Sequence, residues 1–112
     1  MAADSSSSSP IKSEFASDPD MADLVAEFVG ELGSRTQSLQ EALSQSKFAD
    51  LQRLSHQLKG ACGGYGFPSL GEAAAKLEAS LKKNASEPQA AALDDISRQV
   101  NELVDLCRRA TT

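Results

Sequence analysis

Residues 48–66 read FADLQRLSHQLKGACGGYG and combine a helical pattern with the only histidine of the chain, His56. The apolar residues of this stretch recur every three or four positions, which places them on one face of an α-helix. Glycines at the end of such a stripe are typical of a helix C-terminus followed by a turn. We therefore predict an amphipathic helix that begins near Ser46 or Lys47 and ends in the glycine cluster. The apolar stripe consists of Phe48, Leu51, Leu54, Leu58 and Ala61.

Three further segments repeat this three- and four-residue spacing. The first begins at Asp18, an N-cap candidate that is followed by proline, and runs to about residue 45. The next opens at Ser69 with the S-x-x-E spacing of a capping box and ends before Asn84, which we expect in a left-handed conformation. The last opens at Ser86 with an S-x-x-Q box. The chain therefore contains four predicted helices.

These helices must pack together, because none of them can bury its apolar face alone. Short loops between consecutive helices favour antiparallel neighbours, and no segment alternates with period two for long enough to predict a strand. We predict an all-α fold, an antiparallel four-helix bundle over residues 10–110 with a short N-terminal extension. Residues 1–9 are serine-rich and lack apolar groups to bury, so we predict a disordered tail there. Ile11 and Phe15 are expected to anchor residues 10–17 to the core as an extended or one-turn piece.

Charge and composition exclude several classes of function. The net charge of −5 and the pI of about 4.7 disfavour nucleic acid and anionic membranes, which both select basic surfaces. No apolar run approaches the roughly 20 residues that span a bilayer, and the N-terminus lacks the apolar core of a secretory signal. Cys62 and Cys107 lie within helical patterns, as buried thiols in a reducing compartment would. We expect a cytoplasmic monomer that binds neither nucleic acid nor a membrane.

The helical period also determines where His56 points. Residues in an α-helix advance by about 100° each, so His56 projects about 160° away from both Leu54 and Leu58. This direction predicts an exposed imidazole near the middle of the helix. The residues that share its face are Gln52, Lys59, Gly60 and Gly63.

The glycine one helical turn after His56 is unusual, because glycine in a helix interior costs about 1 kcal/mol relative to alanine. Bare backbone at Gly60 and Gly63 would let another protein approach the imidazole closely, and Lys59 could place an ammonium group near an anion carried on the ring. A lone exposed histidine is more often an ordinary surface residue, and a glycine cluster is more often a helix end. From its spacing and its direction on the helix, a functional role for His56 and an ordinary surface position are therefore comparable alternatives.

The pattern His56-x-x-Lys59-Gly60-x-x-x-x-x-Gly66, within a predicted four-helix bundle, resembles the histidine-containing phosphotransfer (HPt) domain over roughly residues 10–108. The resemblance implies that His56 is phosphorylated and that Lys59 neutralises the phosphoryl oxygens. It further implies that Gly60 and Gly63 allow a partner close approach, that Gly66 forms the turn to the next helix, and that Glu78 orients the ring where several members have glutamine. Further candidates for the partner-facing rim are Glu72 and Lys82.

The resemblance also implies the partners and the reaction. A phosphoryl group would reach His56 from a receiver-domain aspartyl phosphate, or from a histidine kinase, and would pass to another receiver domain. Response-regulator receiver domains and hybrid histidine kinases are the expected partners. The chain has no glycine-rich nucleotide loop and no carboxylate cluster suited to Mg²⁺. We therefore expect a phosphocarrier without kinase activity and without a bound cofactor, for which the partner receiver domain supplies Mg²⁺.

Three alternatives remain at this point. The bundle could dock a receiver domain or a kinase without carrying phosphate. His56 could serve as the general base of a hydrolase or lyase, although the adjacent Ser55 lies about 100° around the helix and no triad spacing is present. A metal site is poorly supported, since one histidine and two buried cysteines do not make a closed set of ligands.

Overall fold

The computed structural model describes residues 9–84 and 90–112, which form four helices and two very short strands. These bounds confirm the predicted all-α class. The elements in chain order are β1 (Ile11–Lys12), α1 (Ala22–Ser44), α2 (Phe48–Gly64), α3 (Pro68–Lys83), α4 (Ala90–Arg109) and β2 (Ala110–Thr111).

The four helices form the predicted antiparallel bundle. Helix α2 packs on α3, α3 packs on α4, and α1 closes the bundle against α2 and α4. Only three residues each separate α1 from α2 and α2 from α3, which requires these neighbours to run antiparallel. None of the helices in the described part of the chain is both long and apolar enough to cross a membrane.

The apolar stripes of the sequence face one another and form a single core. Burial of this surface is the main favourable term in the stability of the bundle. The most fully buried large side chains come from all four helices and from the α2–α3 loop, namely Val25, Leu39, Leu51, Leu58, Phe67, Leu70, Leu77, Ile96, Val100 and Leu103. The α2 stripe therefore points into the core, and its opposite face is left to the solvent.

The N-terminal segment contains a strand that periodicity does not predict. Strand β1 pairs in parallel with β2, with Ile11 opposite Ala110 and Lys12 opposite Thr111. Two residues are too short to show a period of two, so alternation could not indicate this strand. Ile11 and Phe15 pack against the core, as their apolar character predicts. Of the predicted disordered tail, residues 1–8 lie outside the described residues.

The predicted starts of two helices are wrong. Helix α1 begins at Ala22 because residues 18–21 form a separate turn, in which the backbone oxygen of Asp18 accepts N–H groups of Met21 and Ala22 at 3.0 and 2.9 Å. Helix α3 begins at Pro68, one residue before the predicted cap Ser69, and no side chain caps it. Proline fixes φ at a helical value and lacks an N–H group, which makes it a favourable first helical residue.

The predicted left-handed residue after α3 is also wrong. Asn84 has φ −117°, and its side-chain amide donates to the backbone oxygen of Ser80 at 2.8 Å while its N–H reaches the oxygens of Ser80 and Leu81. These bonds satisfy the terminal carbonyl groups without a left-handed residue. The capping box predicted at Ser86 lies outside the described residues.

Candidate functional site

His56 lies at the centre of α2 with its side chain 65% exposed. Leu51 and Leu58 of the same helix are fully buried on the opposite face. The position of the ring therefore agrees with the direction that the helical period predicts. A partner can reach this ring without any rearrangement of the bundle.

The exposed imidazole rests on a buried carboxylate from the neighbouring helix. Glu78 of α3 has a side chain only 6% exposed, and its Oε2 lies 2.7 Å from Nδ1 of His56. An ionised carboxylate has no hydrogen to give, so Nδ1–H must be the donor of this bond. In the neutral ring the hydrogen is then on Nδ1, and the lone pair of Nε2 is free. No group in residues 9–84 or 90–112 forms a hydrogen bond with Nε2.

Two lysines complete the arrangement around Glu78. Lys59 Nζ donates to Glu78 Oε1 at 2.7 Å, and Lys82 Nζ lies 3.6 Å from Glu78 Oε2. Lys59 is one turn after His56 on α2, whereas Lys82 is one turn after Glu78 on α3. We call His56, Lys59, Glu78 and Lys82 the His56 cluster. Its carboxylate is the only member that is buried.

The electrostatics of the His56 cluster keep Glu78 ionised. The hydrogen bond from Lys59 is the main cause that lowers the pKa of Glu78, from 4.5 to about 2. Burial acts in the opposite direction and raises this pKa, and the hydrogen bond from His56 and the charge of Lys82 lower it further. Glu78 is therefore a carboxylate at every pH at which the protein would work.

The glycines beside His56 leave an open surface. A Cβ atom added at Gly60 or Gly63 would meet no heavy atom within 4 Å, and both residues are exposed. The fold does not need glycine at these two positions for space. A partner approaching from outside would meet bare helix backbone there.

Gly66 plays a different part, because glycine is required there by the backbone. Its φ is +82°, and a Cβ would lie 2.6 Å from Ser13 Oγ and 3.0 Å from the backbone nitrogen of Glu14. The Glu14 N–H donates to the oxygen of Gly66 at 2.8 Å, and Ser13 Oγ donates to the oxygen of Tyr65 at 2.5 Å. Gly66 thus forms the turn to α3, and its backbone oxygen also binds the N-terminal segment.

The remaining predicted residues lie apart from the His56 cluster. Gln52 is half-buried one turn before His56, and no hydrogen bond joins it to the cluster within the described residues. Glu72 lines a groove between α3 and α4 together with Lys76 and Glu102. The link between Lys82 and Glu78 was not predicted, although their i, i+4 spacing is a signal that could have indicated it.

The described residues contain no group of three or more His, Cys, Asp or Glu side chains placed to hold a metal ion. Cys62 and Cys107 are free and buried. The pKa of both thiols is raised to about 12, mainly by burial, and the proximity of Cys107 contributes to the increase at Cys62.

One of three comparisons with known proteins finds a match. A family model described as the Hpt domain matches residues 23–110. The matched range includes the whole His56 cluster, nearly all of α1 and the other three helices. A search of curated proteins and a search of solved structures each find no match to the chain.

Proposed function

The chain belongs to the Hpt domain family, and on this premise we propose that it is a phosphorelay carrier that holds the phosphoryl group on Nε2 of His56. Hpt domains are phosphocarrier modules of two-component systems that interact with receiver domains and histidine kinases. In this chain, His56 accepts the group from a receiver-domain aspartyl phosphate, or from a histidine kinase, and passes it to another receiver domain.

The observation that carries this proposal is the 2.7 Å contact between the buried Glu78 carboxylate and Nδ1 of the exposed His56 ring. A carboxylate at Nδ1 holds the tautomer whose free lone pair is on Nε2, the nitrogen that a partner can reach. An ordinary surface histidine needs no such buried carboxylate, because burying a charge is unfavourable unless it is paired.

The reaction follows from this geometry. The Nε2 lone pair forms the new bond to phosphorus, roughly in line with the bond that breaks, through a loose transition state. The electrons of the broken P–O bond stay with the departing aspartate, which becomes a carboxylate. The imidazole gains positive charge as the N–P bond forms. Glu78 stabilises that charge through the hydrogen that remains on Nδ1, as the carboxylate does in hydrolase triads.

Lys59 neutralises the transferred phosphoryl group in this mechanism. Its side chain is 39% exposed and lies one helical turn from His56, on the face from which the partner approaches. The partner receiver domain supplies the acyl phosphate and the Mg²⁺ ion that such a transfer uses. The chain itself is the carrier and substrate, and it contributes no kinase activity.

The flat surface at Gly60 and Gly63 supports close docking of the partner. We expect Gly60→Leu to slow transfer by at least about tenfold, since a large side chain there separates the two reacting groups. The measurement is the rate of phosphoryl uptake from one receiver domain. The control is the exposed Asn101 changed to leucine, because it lies on α4, which packs against α1 and α3. An unchanged rate for Gly60→Leu would remove close approach from the mechanism.

The direct test of the proposal is phosphoryl uptake by wild type and by His56→Gln. The donor is a receiver domain phosphorylated with acetyl phosphate in Mg²⁺, and circular dichroism checks that the variant keeps its helices. We expect label on the wild type only, in an adduct that is lost in acid and stable in alkali. Label on His56→Gln would contradict the proposal. Failure of the folded wild type to take up label from a panel of receiver domains and hybrid kinases would favour a docking module instead.

A further inference from the structure

We infer that Lys82 is a positioning residue. It hydrogen-bonds the Glu78 carboxylate when Lys59 leaves that carboxylate and binds the phosphoryl group on His56. This inference rests on the proposed function and adds a residue to it. Lys82 acts through Glu78 and does not touch the transferred group.

The argument starts from the demands on Glu78 in the unphosphorylated chain. Its side chain is 6% exposed, so water cannot solvate the charge and protein groups must do so. Lys59 Nζ donates a hydrogen bond to Oε1 at 2.7 Å, and His56 Nδ1 donates one to Oε2 at the same distance. Lys82 approaches Oε2 to 3.6 Å, just beyond hydrogen-bond distance. While Lys59 is bound to the carboxylate, Lys82 is therefore a nearby cation that forms no hydrogen bond with it.

Phosphorylation sets two anions in competition for Lys59. Nδ1 and Nε2 lie on different edges of the imidazole, so Glu78 and a phosphoryl group on Nε2 lie on different sides of the ring. The phosphoryl group carries nearly two negative charges and accepts strong hydrogen bonds. When Lys59 turns toward it, Oε1 of Glu78 loses its only hydrogen-bond donor among the described residues. A buried carboxylate that loses a partner is strongly destabilised.

Lys82 is close enough to replace the interaction that Glu78 loses. Its side chain is 61% exposed and therefore free to move, and it needs to advance by less than about 1 Å to reach hydrogen-bond distance from Glu78. It approaches Oε2, the oxygen that accepts the hydrogen bond from Nδ1, and Nδ1 lies on a different edge of the ring from Nε2. This placement favours contact with the carboxylate over contact with the phosphoryl group.

The experiment measures the equilibrium ratio of phosphorylated chain to phosphorylated receiver domain, with the acetyl-phosphate-loaded receiver as the probe. We expect Lys82→Met to lower this ratio by roughly three- to tenfold, the size of one charge-assisted interaction. Lys82→Arg should restore it. Lys83→Met is the matched control, since Lys83 is the next residue of α3, is exposed and forms no ion pair within the described residues.

A second background separates action through Glu78 from direct contact. In Glu78→Gln there is no buried charge to compensate, so Lys82→Met should change the ratio by less than about twofold. An effect of the same size in both backgrounds would mean that Lys82 contacts the phosphoryl group directly, and it would overturn the inference. The ¹⁵N shifts of the unphosphorylated His56 ring should be unchanged by Lys82→Met, because Lys59 still holds Glu78. A changed tautomer would assign Lys82 a merely structural role.

The outcomes distinguish this inference from the proposed function. A wild type that takes up no phosphoryl group contradicts the proposed function, and the inference fails with it. A wild type that transfers normally, with a Lys82→Met ratio equal to that of wild type, contradicts the inference alone.

Discussion

At the scale of single residues, the proposed phosphotransfer depends on a carboxylate that is buried beneath an exposed ring. Glutamine at position 78 could also accept a hydrogen bond from Nδ1 of His56, but it has no charge to stabilise a positive ring. Glu78 supplies that charge, and two lysines keep it ionised. The arrangement has a consequence for stability as well as for transfer.

Glu78 should make the folded state sensitive to acid. Its folded pKa of about 2 lies below the ordinary value of 4.5, so the stabilisation is fully present above about pH 4.5 and is lost as the pH falls toward 2. We expect the free energy of unfolding to fall more steeply through this window in wild type than in Glu78→Gln. The measurement is urea denaturation at a series of pH values, with Glu72→Gln as the exposed control on the same helix. Parallel curves for wild type and Glu78→Gln would contradict the expectation.

At the scale of elements, α2 and the loop after it contain two kinds of glycine: one that the fold could replace with another residue and one that the backbone requires. Gly60 lies in a regular helix with open space around it, so the helix would be more stable with a side chain there. Gly66 lies in the turn that receives the N-terminal segment, at φ +82°. A glycine that the fold does not need, one turn from His56, is what close approach by a partner would favour.

This contrast predicts opposite changes in stability for the same substitution. Gly60→Ala should raise the free energy of unfolding by about 1 kcal/mol, the difference in helix propensity. Gly66→Ala should lower it by roughly 1–3 kcal/mol, because its backbone is left-handed and its Cβ would lie 2.6 Å from Ser13 Oγ. Urea denaturation of both variants checks the signs. A stabilised Gly66→Ala would show that the turn is not constrained in this way.

At the scale of the whole molecule, the bundle has a single core to which all four helices contribute. Cys62 lies on α2 and Cys107 on α4, so the two thiols report on different parts of that core. Neither is accessible unless the packing opens, since Cys62 is 0% and Cys107 3% exposed.

The thiols should therefore react only through opening of the bundle. The thiolate is the reactive form, and burial raises both pKa values to about 12. We expect an aromatic disulfide reagent to modify both cysteines rapidly in denaturant and very slowly in the native protein. The native rate should rise in parallel with the unfolded fraction in destabilised variants such as Gly66→Ala. Rapid modification of one cysteine in the native state would show that its surroundings open locally.

Helical periodicity predicted the fold because it is a local property. The stripe of α2 is enough to place Leu58 in the core and His56 in the solvent, and both positions are as predicted. Helix ends depend on competition among neighbouring residues for the same backbone groups, and there the patterns at Ser69 and Asn84 were misleading. Proline at position 68 and the side-chain amide of Asn84 satisfied the backbone in ways that the patterns do not indicate.

The sequence by itself determined the four helices, the exposed face that carries His56, Lys59 and Gly60, and the family resemblance. The resemblance named Glu78 as a residue that orients the ring, but only the tertiary structure decided that its carboxylate, 22 residues away, contacts the ring and that Lys82 lies next to it. A helical period indicates which face a residue occupies, but not its height, which is its position along the helix axis relative to residues of the neighbouring helix. That height is set by how the side chains of the core interlock between α2 and α3, and this packing places Glu78 beneath His56.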